Sequence, residues 1–240
     1  MNILAIGNSF TQDGVRYLRK ISQNQNNDML IVSLVIGGCS LADHYRNMKA
    51  DNKCYQMEFN GEWTGFFMGI KEVMLGRKWD VVTIQQFSVE STDYEKYQPY
   101  LNKCMDYIRE YCPGAKIYLQ QTWSYENGSA ILKNWTNYKD TEEMFIDVKK
   151  SYEKARIDSG ADGLIPSGEV ILELMRKGYK MHRDGLHVTL GLGRYALSLL
   201  WYSYLSGKSI DDVTITDFDE PISDEEVADA KKTVNKVLGR

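Results

Sequence analysis

The sequence predicts an α/β fold: a three-layer α/β/α sandwich around a five-stranded parallel sheet. Three observations carry that expectation. Short apolar runs bounded by turn residues alternate with longer amphipathic stretches, the pattern of β-α-β units. The runs end in residues suited to loops leaving a sheet, namely Gly7, Gly37-Gly38, Gln85-Gln86, Gln120-Gln121 and Pro166. Finally, 240 residues at 43% hydrophobic suffice for one sizeable core, so a single domain over 1–240 is the economical division.

Asn2 to Ile6 reads as the first strand. Gln12 to Gln23 follows as a helix, with Val15, Leu18 and Ile21 on one face at spacings of three. Met29 to Ile36 is the second strand and Val81 to Ile84 the third. Lys116 to Leu119, after the Pro113-Gly114 turn, is the fourth, and Gly163 to Ile165 the fifth. Further helices are expected near 64–76, 93–111, 140–159, 167–177 and 189–206. A last one begins at Ser223, where Glu226 three positions on completes a capping box. The polar segment Tyr45 to Gly61 is expected as an irregular loop over the site, and Ser124 to Asn137 as a second loop. Two N-x-[ST] matches at Asn127 and Asn134 support only a surface position for that second loop.

Composition excludes several functions. With 29 Lys+Arg against 33 Asp+Glu the net charge is −4, which offers no basic field to a nucleic acid. No apolar run approaches the eighteen or so residues that span a bilayer, so no membrane partner is expected. The opening Met1-Asn2-Ile3-Leu4-Ala5 shows no basic region followed by a long apolar core. A cytoplasmic location is the expectation, with a periplasmic or secreted protein that has lost its leader as the alternative. Cys39, Cys54, Cys104 and Cys112 form no C-x-x-C pair and read as reduced, mostly buried thiols. Histidine is scarce: an imidazole base must be His44, His182 or His187.

In an open parallel sheet, ligands bind beyond the carboxyl ends of the strands. There the first strand ends in Gly7-Asn8-Ser9-Phe10, directly ahead of a helix. Ser9 is either a cap or a hydroxyl presented to a cleft, with the backbone N–H groups of the helix start ready to hold an anion. Late in the chain, His182-Arg183-Asp184-Gly185-Leu186-His187 holds an Asp and a His three apart, a spacing that brings a carboxylate to an imidazole on a turn. A serine needs such a base to become a nucleophile at neutral pH.

Together with the Gly-Gly after the second strand, these blocks resemble the SGNH (GDSL-type) hydrolases, specifically a bacterial branch with a G-N-S-F first block and a Gln-Gln third block. The resemblance implies a flavodoxin-like SGNH fold. It makes Ser9 the nucleophile, His187 the base and Asp184 its orienting partner. The oxyanion hole would comprise the N–H groups of Ser9 and Gly38, with Gly37 as the other register. Where the family has G-x-N-D, this chain has Ile84-Gln85-Gln86-Phe87-Ser88. A Gln amide is also a donor, so Gln86 is expected to complete the hole, with Gln85 as the register alternative because adjacent strand residues point to opposite faces.

The implied activity is a serine esterase removing acetyl or other short acyl groups from a carbohydrate or related hydroxylated molecule. No metal or organic cofactor is expected. Asn8, Gln85, Gln121, Trp123 and Tyr125 are candidate substrate contacts, the two aromatics by stacking on a sugar ring. A lipase- or thioesterase-like hydrolase, a non-catalytic carbohydrate-binding protein and a flavodoxin-like nucleotide binder are the competing readings. His44 either lines the cleft or packs, and His182 reads as loop structure. Gly191 and Gly193 lack the lysine of a phosphate loop and read as close helix packing.

Overall fold

Strand β1 (Asn2–Gly7) runs through the interior of the sheet, with every residue after Asn2 buried. Ile3 and Ala5 enter one hydrophobic cluster while Leu4 and Ile6 enter another, so the period-2 alternation of a strand divides the core between the two faces. The computed structural model describes residues 1–240. β1 pairs in parallel with β2 (Leu30–Val35) on one side and β5 (Val81–Ile84) on the other. β5 continues in parallel to β6 (Lys116–Gln120), and β6 to β7 (Gly163–Ile165). The chain leaves β1 toward one edge and later fills the other. The resulting switch point between β1 and β5 opens a crevice at the carboxyl ends of these strands.

The sheet has seven strands rather than five, in the order β4-β3-β2-β1-β5-β6-β7. The two additional strands, β3 (Tyr55–Phe59) and β4 (Glu62–Met68), form an antiparallel hairpin on the outer side of β2. Its turn is Asn60-Gly61, both with positive φ (54° and 85°), the Asn-Gly signature of a two-residue hairpin loop. The hairpin replaces the loop expected over Tyr45–Gly61 and the first half of the helix expected over 64–76. That segment instead begins with helix α3 (Leu41–Ala50), started by a reciprocal Ser40/Asp43 capping box.

Helices cover both faces. α1 (Ser9–Val15) and α2 (Leu18–Asn24) divide what the sequence reads as one helix, since the Tyr17 amide donates to Ser198 Oγ at 3.1 Å. With them, α8 (Ser167–Arg176), α9 (Leu192–Ser206) and α10 (Asp224–Val237) pack on the Ile3/Ala5 face. On the Leu4/Ile6 face lie α3, α4 (Ile70–Leu75), α5 (Tyr100–Tyr111) and α7 (Thr141–Ser159). A short helix, α6 (Ala130–Trp135), interrupts the loop expected over 124–137. No helix is long and apolar enough to cross a membrane.

Candidate active site

Asn8 stops β1 and starts α1. Its extended backbone (φ −130°) precedes the helix and its Oδ1 accepts from the Phe10 amide at 3.0 Å, as an N-cap does. Ser9 is therefore the first helical residue, held at the mouth of the crevice with its N–H outside the intrahelical ladder. Asn8 Oδ1 also accepts from Gln85 Nε2 at 2.6 Å, and Asn8 Nδ2 donates to the Cys39 carbonyl at 3.3 Å. The buried cap thus ties the ends of β1 and β5 to the loop carrying Gly37 and Gly38.

The imidazole that meets Ser9 comes from the other end of the chain. His182 and Val188 form an antiparallel bridge, and Arg183 N donates to His187 O at 2.9 Å, closing a hairpin around Asp184-Gly185-Leu186. Gly185 has φ +83°, and a Cβ there would approach Ser129 Cβ to 2.8 Å, so the turn requires glycine. Asp184 Oδ1 accepts from the Leu186 and His187 amides at 3.0 and 2.7 Å. Its Oδ2 is left for His187 Nδ1 at 2.7 Å, and His187 Nε2 lies 2.8 Å from Ser9 Oγ. Burial pushes the Asp184 carboxyl up, but hydrogen bonds from the His187 amide and ring and the Leu186 amide outweigh it. The net position is below the ordinary carboxylate value. An ionised Asp184 holds the proton of His187 on Nδ1, which leaves Nε2 free to accept from Ser9.

The sequence reading missed a further element here. Asp13, one turn along α1 from Ser9, has a side chain only 1% exposed and accepts from Arg183 Nη1 at 3.0 Å and Arg194 Nε at 2.8 Å. Arg183 also donates to the Val188 carbonyl. Arg194 continues to Asp219 (2.6 Å), which pairs with Arg16 (2.7 Å). The Arg16 and Arg194 guanidiniums hold the Asp219 carboxyl well below the usual range against its burial. Nothing in the local sequence signals that Asp13 faces the histidine hairpin.

A cleft of about 400 Å³ opens over the serine, lined by Asn8, Ser9, Phe10, Gly37, Gly38, Phe87, Ser88, Trp135, Leu186 and His187. The Ser9 and Gly38 amides at its floor have no hydrogen-bond partner in the chain.

Gln86 does not reach this cleft, contrary to expectation. Its Oε1 accepts from the Leu41 and Phe87 amides (3.0 and 2.9 Å) and its Nε2 donates to the Lys96 carbonyl (3.0 Å). These bonds tie α3 to the segment after β5, beneath the apolar side chains of Leu41, Tyr97 and Leu101. Gln85 is likewise held inside, between Asn8 and the Thr11 hydroxyl (2.6 Å), and does not line the cleft. The adjacent glutamines do point apart, but neither points to substrate.

Three other expected contacts are also structural. Trp123 is fully buried, stacked on Phe10 (centroids 3.8 Å apart), and its Nε1 donates to the Leu186 carbonyl at 2.9 Å. Tyr125 is fully buried, with its hydroxyl on Ser88 Oγ at 3.0 Å. Gln121 Oε1 accepts from the Gly168 amide at 3.1 Å, fastening the start of α8. These residues brace the site from behind, and the most exposed aromatic side chain at the cleft is Trp135, at 54%. Asn8 lines the cleft, with its amide committed as described above.

His44 is packed: its Nδ1 meets Tyr55 OH at 2.8 Å, and burial lowers its pKa to about 4. His182 donates from Nε2 to the Ser124 carbonyl at 2.9 Å, and burial lowers it also to about 4. All four cysteines are free thiols, with Cys54 exposed and the other three buried. Gly193 permits close packing behind the turn that carries His187, since a Cβ there would meet Val188 Cβ at 2.5 Å.

The fold is that of the SGNH hydrolases. A candidate SGNH hydrolase from Slackia heliotrinireducens superposes with a TM-score of 0.59 at 18% identity, over 85% of this chain and 98% of that one. A lipase/acylhydrolase from Enterococcus faecalis superposes with a TM-score of 0.58 at 12% identity, over 86% and 95%. At these identities the likeness is one of fold. The chain itself belongs to the family described as domain of unknown function DUF4886, whose sequence profile matches residues 2–234. The crystal structure of a DUF4886 family protein from Bacteroides uniformis is similar with a TM-score of 0.92 and 29% identity, covering 99% of this chain and 94% of that one. No curated protein matches the chain.

Proposed function

We propose that this protein is a serine esterase that removes acetyl or other short acyl groups from a carbohydrate or related hydroxylated substrate. The observation that carries the reading is the relay from Asp184 Oδ2 to His187 Nδ1 (2.7 Å) and from His187 Nε2 to Ser9 Oγ (2.8 Å). A cap serine has no need of an oriented imidazole on its hydroxyl.

In this mechanism His187 takes the Ser9 proton as Oγ attacks the ester carbonyl. The Ser9 and Gly38 amides hold the resulting oxyanion. His187 then delivers its proton to the departing alcohol oxygen, leaving an acyl-serine. Water, deprotonated by the same Nε2, attacks the acyl carbon and releases the carboxylic acid and free Ser9. Phe87, Leu186 and Trp135 form the apolar walls against which acyl group and alcohol are placed, with the exposed Trp135 ring as the stacking surface for a sugar.

The test is hydrolysis of p-nitrophenyl acetate with fluorophosphonate labelling of the wild type, Ser9→Ala and Asp184→Asn. Labelled wild type, unlabelled Ser9→Ala, and a fall in kcat of roughly 100-fold or more in Asp184→Asn support the reading. Equal background rates in all three would sink it, and an acyl chain-length series then tests the preference for short groups.

A further inference from the structure

We propose that Ser88 supplies the side-chain hydrogen bond to the oxyanion, with Tyr125 as the positioning residue that turns its hydroxyl toward the cleft. The proposal rests on the reading of Ser9 as nucleophile.

Elimination along the β5 exit leads to this residue. Gln85 is bound to Asn8 and Thr11, and Gln86 to Leu41, Phe87 and Lys96, and neither lines the cleft. Phe87 has no side-chain donor. Ser88 is the next residue. It lines the same cleft as Ser9, Gly38 and His187 and is only 2% exposed.

Hydrogen-bond arithmetic then directs the proton. Tyr125 is fully buried, and its hydroxyl has Ser88 Oγ, 3.0 Å away, as its one partner in the chain. A buried phenol satisfies its donor by giving its proton to that oxygen. Ser88 Oγ thus accepts from Tyr125 and keeps its own proton to give, and no acceptor within the chain takes it. Donation from Tyr125 also polarises the Ser88 hydroxyl, strengthening the bond it makes in turn. The Ser88 carbonyl is separately held by the Ser91 hydroxyl at 2.8 Å, which fixes the backbone from which the side chain projects. A donor held in this way stabilises charge that appears only in the transition state, so its removal lowers kcat rather than raising KM.

The experiment is steady-state kinetics with p-nitrophenyl acetate on the wild type, Ser88→Ala, Tyr125→Phe and the double variant. Fluorophosphonate labelling of the wild type is read alongside. Ser88→Ala is expected to lower kcat about 100-fold with KM within about threefold. Tyr125→Phe is expected to lower kcat by about three- to tenfold. The double variant should be no slower than Ser88→Ala, because Tyr125 acts only through the hydroxyl already removed. A Ser88→Ala enzyme with wild-type kcat, or with raised KM alone, overturns the role of Ser88. Multiplicative losses in the double variant overturn the positioning role of Tyr125. A wild type that neither labels nor hydrolyses ester overturns the serine-esterase reading instead. If circular dichroism shows Ser88→Ala unfolded, Tyr125→Phe carries the test: a fall in kcat at unchanged KM supports the proposal, and no change overturns it.

Discussion

Arg183 Nη1 lies 3.0 Å from the buried Asp13 Oδ2, so the residue preceding Asp184 is tied to the helix that begins at Ser9. Ser9 and His187 come from opposite ends of the chain, and this ion pair locks the relative position of the elements that carry them. Asp13→Asn leaves Arg183 without its carboxylate partner and Arg194 with Asp219 alone. Breaking a buried pair from one side costs about 3 kcal/mol. For a chain of this size the melting temperature should fall by roughly 6–12 °C. Loosening the hairpin that aims His187 should also lower kcat more than tenfold, since small misplacements of a reacting group are costly. Thermal melts and ester kinetics on the same preparation check both. An unchanged kcat would show that the hairpin is held without Asp13.

Gln86 offers the opposite case. Gln86→Ala leaves the Leu41 and Phe87 amides and the Lys96 carbonyl without partners in the interior, at a cost of about 2–3 kcal/mol. Folded Gln86→Ala should keep kcat within about threefold of the wild type. Urea unfolding and kinetics test this together. A large loss of kcat at undiminished stability would return Gln86 to the oxyanion hole.

Trp135 is half exposed at the cleft, so its loss should leave stability within about 0.5 kcal/mol. Removing a stacking face worth about 1 kcal/mol should raise KM for an aryl or sugar ester by roughly five- to tenfold in Trp135→Ala. Substrate titration at constant enzyme checks the value, and an unchanged KM places the substrate elsewhere.

The two buried histidines should weaken the fold as the pH falls below neutrality. Burial lowers His44 and His182 to about 4 in the fold, against an ordinary value near 6.5. Between these values the unfolded chain binds protons that the folded chain refuses. The stabilisation is complete above pH 6.5 and is lost as pH falls toward 4, by about 3 kcal/mol for each histidine. Urea midpoints measured at pH 7, 5.5 and 4.5 should fall steeply, and less steeply in His44→Gln. An equal slope in wild type and variant would show that His44 does not titrate in this window.

Local pattern carried the interior of the fold. β1, β2, β5, β6 and β7 are mostly buried on both faces, and such strands appear in the chain as short apolar runs. The β3–β4 hairpin escapes that pattern because Tyr55–Phe59 and Glu62–Met68 lie at an exposed edge and mix Gln, Glu and Thr with aromatics. Its local signal was the Asn60-Gly61 turn, and the Ser40/Asp43 capping box likewise marked α3. Ser9, Asp184 and His187 could be picked out as candidates because a strand-end serine and a D-x-x-H turn are short patterns, and the structure brings the three side chains within hydrogen-bond reach.

What those patterns leave open is direction. A glutamine after a strand can donate to a substrate or to its own backbone, and a tryptophan in a loop can face a cleft or a core. Gln86 turned inward because the amides of Leu41 and Phe87 and the carbonyl of Lys96 converge on it once α3 packs beside β5. Trp123 turned inward because Phe10, at the start of α1, offers it a ring to stack on. The meeting of Asp13 with Arg183, 170 positions apart, exists only in three dimensions. Residue identity and short spacing thus specify which groups are available for chemistry. Burial and long-range hydrogen bonds, which depend on elements distant in the chain, decide which of those groups face the cleft.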